Sequence, residues 1–363
     1  MGKKKNQHYV PQSYLRLFST DKKNIGIYTI YNNITTVGPI NDQASEKYFY
    51  SKDITIENAL QEIENLGIDS FKKLINHDGY KWENIEYLNA YVYVIIQYAR
   101  TLYAAKKYQK EVQELQFNLN KINSHIVVKS DSPQLVSLKI YANMISCCLD
   151  LKYKILKIDK KCNGEKFLTS DNPVCIFNPL WEIINLKKEI TLEHKGIIIL
   201  FTISPEHAII IYDAEVYKIG NKRGWVNIIN PKDISIINKI VTANANEVLY
   251  HIQNNQINAS IKEFIFYNNR EDDRRLKLSS SQENCSLSFI HFLSKIKPLF
   301  NLSNITNDFM YRRYILYLHK NPHIKESLDC KWGTGKEEER KLFYKKLNER
   351  YMVYKNTHNV TIK

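Results

Sequence analysis

"GIIILFTISPEHAIIIY", residues 196–212, holds two apolar runs, Gly196–Ile203 and Ala208–Tyr212, joined by a short polar stretch. Both have strand length and are rich in β-branched and aromatic residues, so each reads as a β-strand. The longer run is too short to span a bilayer. Working outward, Tyr153–Ile158 alternates, and Lys166–Ser170 is a short run ending in Asp171-Asn172-Pro173. Ile190–Leu192, Ile234–Ile240 and Phe264–Tyr267 also read as strands, and Asn244–Gln253 as a returning helix. Upstream, Asn24–Ile34 and Glu46–Tyr50 are strand candidates before the period changes. From Thr55, Ile56, Leu60, Ile63, Leu66 and Ile68 line one helical stripe, continued by Phe71, Leu74 and Ile75. A block from Trp82 to Asn120 has neither Pro nor Gly and predicts one long helix. A third helix runs from Ser132 to about Leu149, with Pro133 in its first turn. Helices in the middle with a mainly antiparallel sheet make an α+β fold. The expected domains are a core over residues 1–267, a linker at 268–282, and a helical, basic region at 283–363, with helices near Ser286–Asn301 and Asp308–Lys320.

The 363 residues carry 52 Lys and Arg against 38 Asp and Glu, a net charge of +14. That surplus favours polyanions, most simply nucleic acid, although a solvated basic surface gives the same balance. The tail from Lys331, with nine basic and four acidic residues, contributes part of it. With 44% hydrophobic and 12% aromatic residues, the chain has the composition of a packed protein rather than a disordered one. The six cysteines form no C-x-x-C pair, which argues against structural zinc and for reduced, buried thiols. The first residues have no apolar segment of a secretory signal and no myristoylation pattern, so a cytoplasmic protein without membrane contact is expected. The stretch ending at Lys336, KWGTGK, lacks P-loop spacing, and hydrolase, zincin and dinucleotide motifs are missing.

Four clusters carry the polar residues that stand out. In His8–Gln12 (HYVPQ), Pro11 disfavours helix before it, holding His8 and Gln12 in a stiff frame, unless the segment only pins the amino terminus to the core. Glu57, Gln61 and Glu64 share a helical face, suited to binding a divalent cation or to acid–base work, though a solvated face has the same spacing. In Gln97-Tyr-Ala-Arg100-Thr101, an arginine among apolar residues must snorkel, pair with a carboxylate or hold an anion. In FLTSDNPV, Asp171 and Asn172 lie at a strand end, presented to a ligand or folded back as an Asx turn.

Together, "HYVPQSYLRLF", "EKYFY", Glu57 with Glu64, "QYART", "FLTSDNPV" and "SPEHAIIIY" resemble the ordered motifs of a large uncharacterised bacterial family with an amino-terminal HYVPQ-type motif and a later TSDNP motif. The resemblance covers residues 6 to 267. It implies that His8, Gln12, Glu57, Glu64, Gln97, Arg100, Asp171 and Asn172 are the shared polar positions. It also implies a setting in bacteria and mobile elements, some members resembling toxic effectors of phage defence. The basic carboxy-terminal region departs from the pattern.

From these residues a metal-dependent nuclease is expected, a phosphodiesterase serving as a defence or toxin effector. His8, Glu57, Glu64 and Asp171 would ligate Mg²⁺ or Mn²⁺, with His8, Gln12, Glu64 and Asp171 as the catalytic set. Arg100, Gln97 and Asn172 would hold phosphate and substrate, and Gln12 would orient a water. The alternative is a non-catalytic protein that binds nucleic acid or a protein partner of a defence system, its four clusters forming a buried network. Degradation or transfer of a nucleotide or NAD⁺ is a third reading, with Glu64 as the catalytic carboxylate and Arg100 on phosphate.

Overall fold

In the computed structural model, β8 (Ile198–Ser204) and β9 (His207–Tyr212) pair antiparallel and are buried along their whole length. The structure describes residues 6–51, 55–122, 131–148, 150–162, 164–178, 192, 196–214, 217–220, 224–253 and 257–267, and the strands at 275–281, 284–290 and 305–307. The β8–β9 pair lies within a five-stranded sheet, order β11-β5-β9-β8-β7, with β5 at Lys152–Ile158, β7 at Val174–Phe177 and β11 at Trp225–Ile228. Only β11 and β5 run parallel in it. Residues of opposite parity enter different cores. Ile199, Phe201, Ile209 and Ile211 pack with Phe71, Leu74, Tyr91 and Tyr93, whereas Ile198, Leu200 and Ile210 pack with Ile234, Ile237 and Val241. A strand covered on both faces calls for apolar residues on both sides of the pleat, which is why 197–201 and 208–212 each read as a continuous apolar run.

One cover is made by α2 (Thr55–Asn76), α3 (Asn84–Ala99) and α5 (Pro133–Met144), after a short α1 (Gln12–Leu15), with α4 (Leu102–Ile122) packed on α3 and α5. The other face meets α6 (Pro231–Asn244) and α7 (Ala259–Tyr267). A four-stranded sheet, β3-β2-β12-β6, stands beside this, with β2 at Asn24–Thr29, β3 at Ile34–Pro39, β6 at Thr169–Ser170 and β12 at Val248–His251. Two-residue β6 belongs to this sheet and β7 to the other, so Asp171-Asn172-Pro173 is the crossing between them. The α+β expectation holds.

Several elements differ from the expectations. Residues 234–240 are helical because Asn230 caps α6, its side chain accepting the Lys232 N–H at 3.1 Å, with Pro231 in the first turn. Residues 264–267 end α7, whose start is capped by Asn258 through the Ser260 N–H at 3.0 Å. The returning helix at 244–253 is instead β12, since α6 has already ended and Leu249 and Tyr250 enter cores between β2 and β6. The single helix at 82–120 is two, because the Thr101 hydroxyl accepts the Ala104 N–H at 3.2 Å and starts α4 anew after an Arg100 corner at φ −93°, ψ 0°. Inside the expected linker, Arg275–Ser281 pairs antiparallel with Asn284–Ile290, setting Leu276 opposite Phe289 and Leu278 opposite Leu287. That two-residue alternation continues into the start of the helix expected at 286–301. Residues 190–191, residues 291–301 of that helix, the helix expected at 308–320 and the basic tail lie outside the described residues.

Candidate functional site

The amino-terminal motif is held as an extended strap. β1 (Asn6–His8) pairs antiparallel with β4 (Ser45–Lys47), and the Tyr9 N–H continues to the Ala44 carbonyl at 2.9 Å. Gln7, 1% exposed, donates to the Ser51 carbonyl at 2.9 Å and accepts the Tyr50 N–H at 2.7 Å. Beyond Pro11 the chain turns into α1, whose Tyr14 donates to the Thr202 carbonyl and meets the Thr169 hydroxyl, both at 2.6 Å. One tyrosine thus ties the HYVPQ segment to β8 and to the TSDNP segment.

Arg100 binds the strap from below. Its guanidinium is 2% exposed and donates to the Tyr50 hydroxyl at 2.9 Å, to the His8 carbonyl at 2.5 Å and to the Glu64 carboxylate. Burial works against the charge, and Tyr50 and Glu64 outweigh it, so the Arg100 pKa lies above its ordinary value. Burial pushes the Tyr50 phenol up to about 12 against the pull of Arg100, with Glu57 and Glu64 adding to the rise. Of the readings open for Arg100, the carboxylate pair is the one formed. Gln97, one turn earlier, donates to the Tyr9 carbonyl at 3.0 Å.

His8, beside this frame, is half-buried. Its Nδ1 lies 3.0 Å from the Gln43 carbonyl, which accepts only, so Nδ1 carries the proton. Nε2 is then the basic nitrogen, and it accepts from the Gln12 amide at 2.8 Å. The exposed Arg16 donates to the oxygen of that amide at 2.6 Å, which turns the NH₂ end toward His8. Burial lowers the His8 pKa against the opposing bond to the Gln43 carbonyl, and Arg100 lowers it further while Glu64 opposes, so the net shift is downward and the ring is a neutral base at neutral pH.

Asp171 is 3% exposed. Its carboxylate accepts the backbone N–H groups of Asn246 and Glu247 at 2.8 Å and of Val248 at 3.2 Å. Burial still dominates these bonds and raises its pKa to about 6. Asn172 donates to the Asn244 carbonyl at 2.8 Å, and the Asn244 amide returns bonds to the carbonyls of Asn172 and Val174 at 2.7 and 2.9 Å. The turn is closed by the Ser170 hydroxyl accepting the Asn172 N–H at 3.2 Å, rather than by an Asx turn. Asp171 and Asn172 therefore fasten the sheet crossing to β12 and to the end of α6.

The structure brings His8, Gln12, Glu64, Gln97 and Arg100 into one bonded group, with Glu57 beside it through the field at Tyr50. Among the described residues no hydrogen bond links the Asp171 carboxylate to that group, although its charge acts on Tyr9, the neighbour of His8. The four expected metal ligands do not converge. Glu64 is taken by Arg100, Asp171 by three backbone N–H groups, and among the described residues no group of three or more His, Cys, Asp or Glu is placed to hold a metal ion. Gln7, Tyr50 and Arg16 belong to the site and were not among the expected residues. "EKYFY" and the i, i+4 spacing of Gln12 and Arg16 were the available signals.

Among the described residues no helix is long and apolar enough to cross a membrane. No curated protein and no solved structure matches the chain. A family model described as "Protein of unknown function (DUF4238)" matches residues 6–254, the strap through the end of the four-stranded sheet. The chain therefore belongs to the DUF4238 family.

Proposed function

We propose that the protein is a phosphodiesterase acting on nucleic acid, an effector of prokaryotic anti-phage defence or a toxin, with the His8–Gln12–Arg16 edge as its reactive part. The observation that carries the reading is the fixed tautomer of a half-buried histidine. With Nδ1–H committed to the Gln43 carbonyl, Nε2 is a base at neutral pH, one amide away from an exposed guanidinium. A phosphodiester held by Arg16 displaces the Gln12 amide and brings a water to Nε2. The water gives its proton to Nε2 as its oxygen adds to phosphorus. The bond to the leaving nucleotide oxygen breaks, and that oxygen takes a proton from solvent. The net charge of +14 supports a polyanionic substrate. No step runs through Mg²⁺ or Mn²⁺, because two of the carboxylates expected as ligands, Glu64 and Asp171, are engaged elsewhere.

A second reading is a binding protein without catalysis, which holds nucleic acid or a protein partner of a defence system. It is favoured by the engagement of Glu64 and Asp171 in joining segments, as befits a structural frame. The test incubates wild type and His8→Ala with plasmid DNA, single-stranded DNA, bulk tRNA and messenger RNA, each with Mg²⁺, Mn²⁺ or EDTA. Cleavage lost in a folded His8→Ala protein supports the first reading. Gel retention without cleavage transfers the proposal to the second, and neither cleavage nor retention rejects both for nucleic acid.

A further inference from the structure

The β1–β4 ribbon carries a second cation on the face that bears His8. Its register sets His8 opposite Ser45, Gln7 opposite Glu46 and Asn6 opposite Lys47. Side chains alternate along a strand, and residues directly opposite in an antiparallel pair share a face. Asn6, His8, Ser45 and Lys47 therefore lie on one face of the ribbon, with Gln7 and Glu46 on the other. The burial of β1 follows this alternation, Asn6 exposed, Gln7 1% exposed and His8 half-buried.

Charge is sorted by the same pleat. None of the four residues on the His8 face is acidic. Glu46 belongs to the opposite face, and Glu64, the acid that acts on His8, is paired with Arg100. Lys47 is exposed, and among the described residues it has no carboxylate partner. It is the diagonal neighbour of His8, about 7–8 Å away at the backbone, a gap that the four-carbon stem of lysine can span. Arg16, also exposed, reaches the same imidazole from beyond α1, one amide away. Two cations from separate segments thus serve one basic nitrogen. A lone phosphodiester occupies one of them. A nucleic-acid strand brings a phosphate with every nucleotide, and such contacts to its backbone set where the strand lies.

We propose that Lys47, with the Asn6 amide beside it, forms a second phosphate subsite, so that a nucleic-acid strand crosses the β1–β4 ribbon with one phosphate at Arg16 and a neighbouring one at Lys47. The inference rests on the reading of His8, Gln12 and Arg16 as a phosphodiester site. It makes the substrate a strand with phosphates on both sides of a nucleoside, and it makes Lys47 a residue that positions the strand over His8.

The test is the salt dependence of binding by the full chain, read by fluorescence anisotropy with a labelled single-stranded oligonucleotide and with its duplex. Each phosphate contact contributes about 0.7 to the slope of log affinity against log salt for a single strand, and about 0.9 for a duplex. Lys47→Met and Arg16→Met should each lower the slope by about that amount on whichever probe binds, and the double variant by about twice as much. Lys232→Met removes an exposed charge in the first turn of α6, on the other face of the five-stranded sheet, and should leave the slope unchanged. A slope lowered by Arg16→Met and untouched by Lys47→Met overturns the second subsite and leaves the His8–Arg16 reading standing. A slope lowered equally by Lys232→Met overturns the subsite too, since any surface charge would then serve. Slopes untouched by Lys47→Met and Arg16→Met alike, or no binding of either probe, overturn both.

Discussion

Replacing Glu64 and Arg100 by Met, singly and together, measures how far one ion pair holds the strap. Glu64→Met leaves the Arg100 charge, 2% exposed, with only the Tyr50 hydroxyl and the His8 carbonyl. Breaking a buried pair from one side costs about 3–5 kcal/mol, because the remaining charge is uncompensated. Arg100→Met removes bonds to three partners but leaves Glu64, 17% exposed and able to turn toward water, so about 2–4 kcal/mol is expected. The double variant carries no stranded charge. Its loss should fall short of the sum of the singles by about 2 kcal/mol or more, within the range for residues in direct contact. Urea denaturation of the three variants and wild type, at fixed pH, gives the cycle. A coupling below about 0.5 kcal/mol, the scatter of independent sites, would refute the pair as the clamp.

Asp171, with its carboxyl raised to about 6, binds a proton more tightly folded than unfolded. Wild-type stability relative to Asp171→Asn should therefore be highest below about pH 4, fall by ~3 kcal/mol as pH rises to about 6–7, and then level off; a pH-independent difference between the two urea curves would contradict it. His8 has the opposite sign, since a base with a lowered folded pKa loses stability as pH falls. Its ring carbons in NMR should titrate below the ordinary value of about 6.5, and a midpoint above that would remove the neutral base. Gly67 lets α2 approach α3, because a Cβ there would meet Tyr93. Gly67→Ala should cost about 1–3 kcal/mol and loosen the Glu64–Arg100 contact one turn away, read by thermal melting.

The β8–β9 stretch was legible because burial on both faces calls for apolar residues on both sides of the pleat. Residues 234–240 and 264–267 were not, because short isoleucine- and phenylalanine-rich runs suit strand and helix alike, and the decision lay in Asn230-Pro231 and Asn258 just upstream. The break at Arg100–Thr101 has no Pro or Gly to mark it. It depends on a threonine cap and on partners brought from residues 8, 50 and 64. Within the site, the residue set was legible and the division of labour was not. Asp171 has the type and position of a ligand, yet its three partners are backbone N–H groups at 246–248, which no local pattern reveals. The His8 tautomer likewise hangs on the carbonyl of Gln43, across the β1–β4 pair.

The most direct test of His8 as the reactive base is the pH dependence of kcat/KM for cleavage of a labelled nucleic acid. The account predicts an acid limb whose midpoint matches the His8 ring titration, and loss of cleavage in a folded His8→Ala protein. Cleavage by His8→Ala with an unchanged profile, or no cleavage by wild type at any pH, would contradict it.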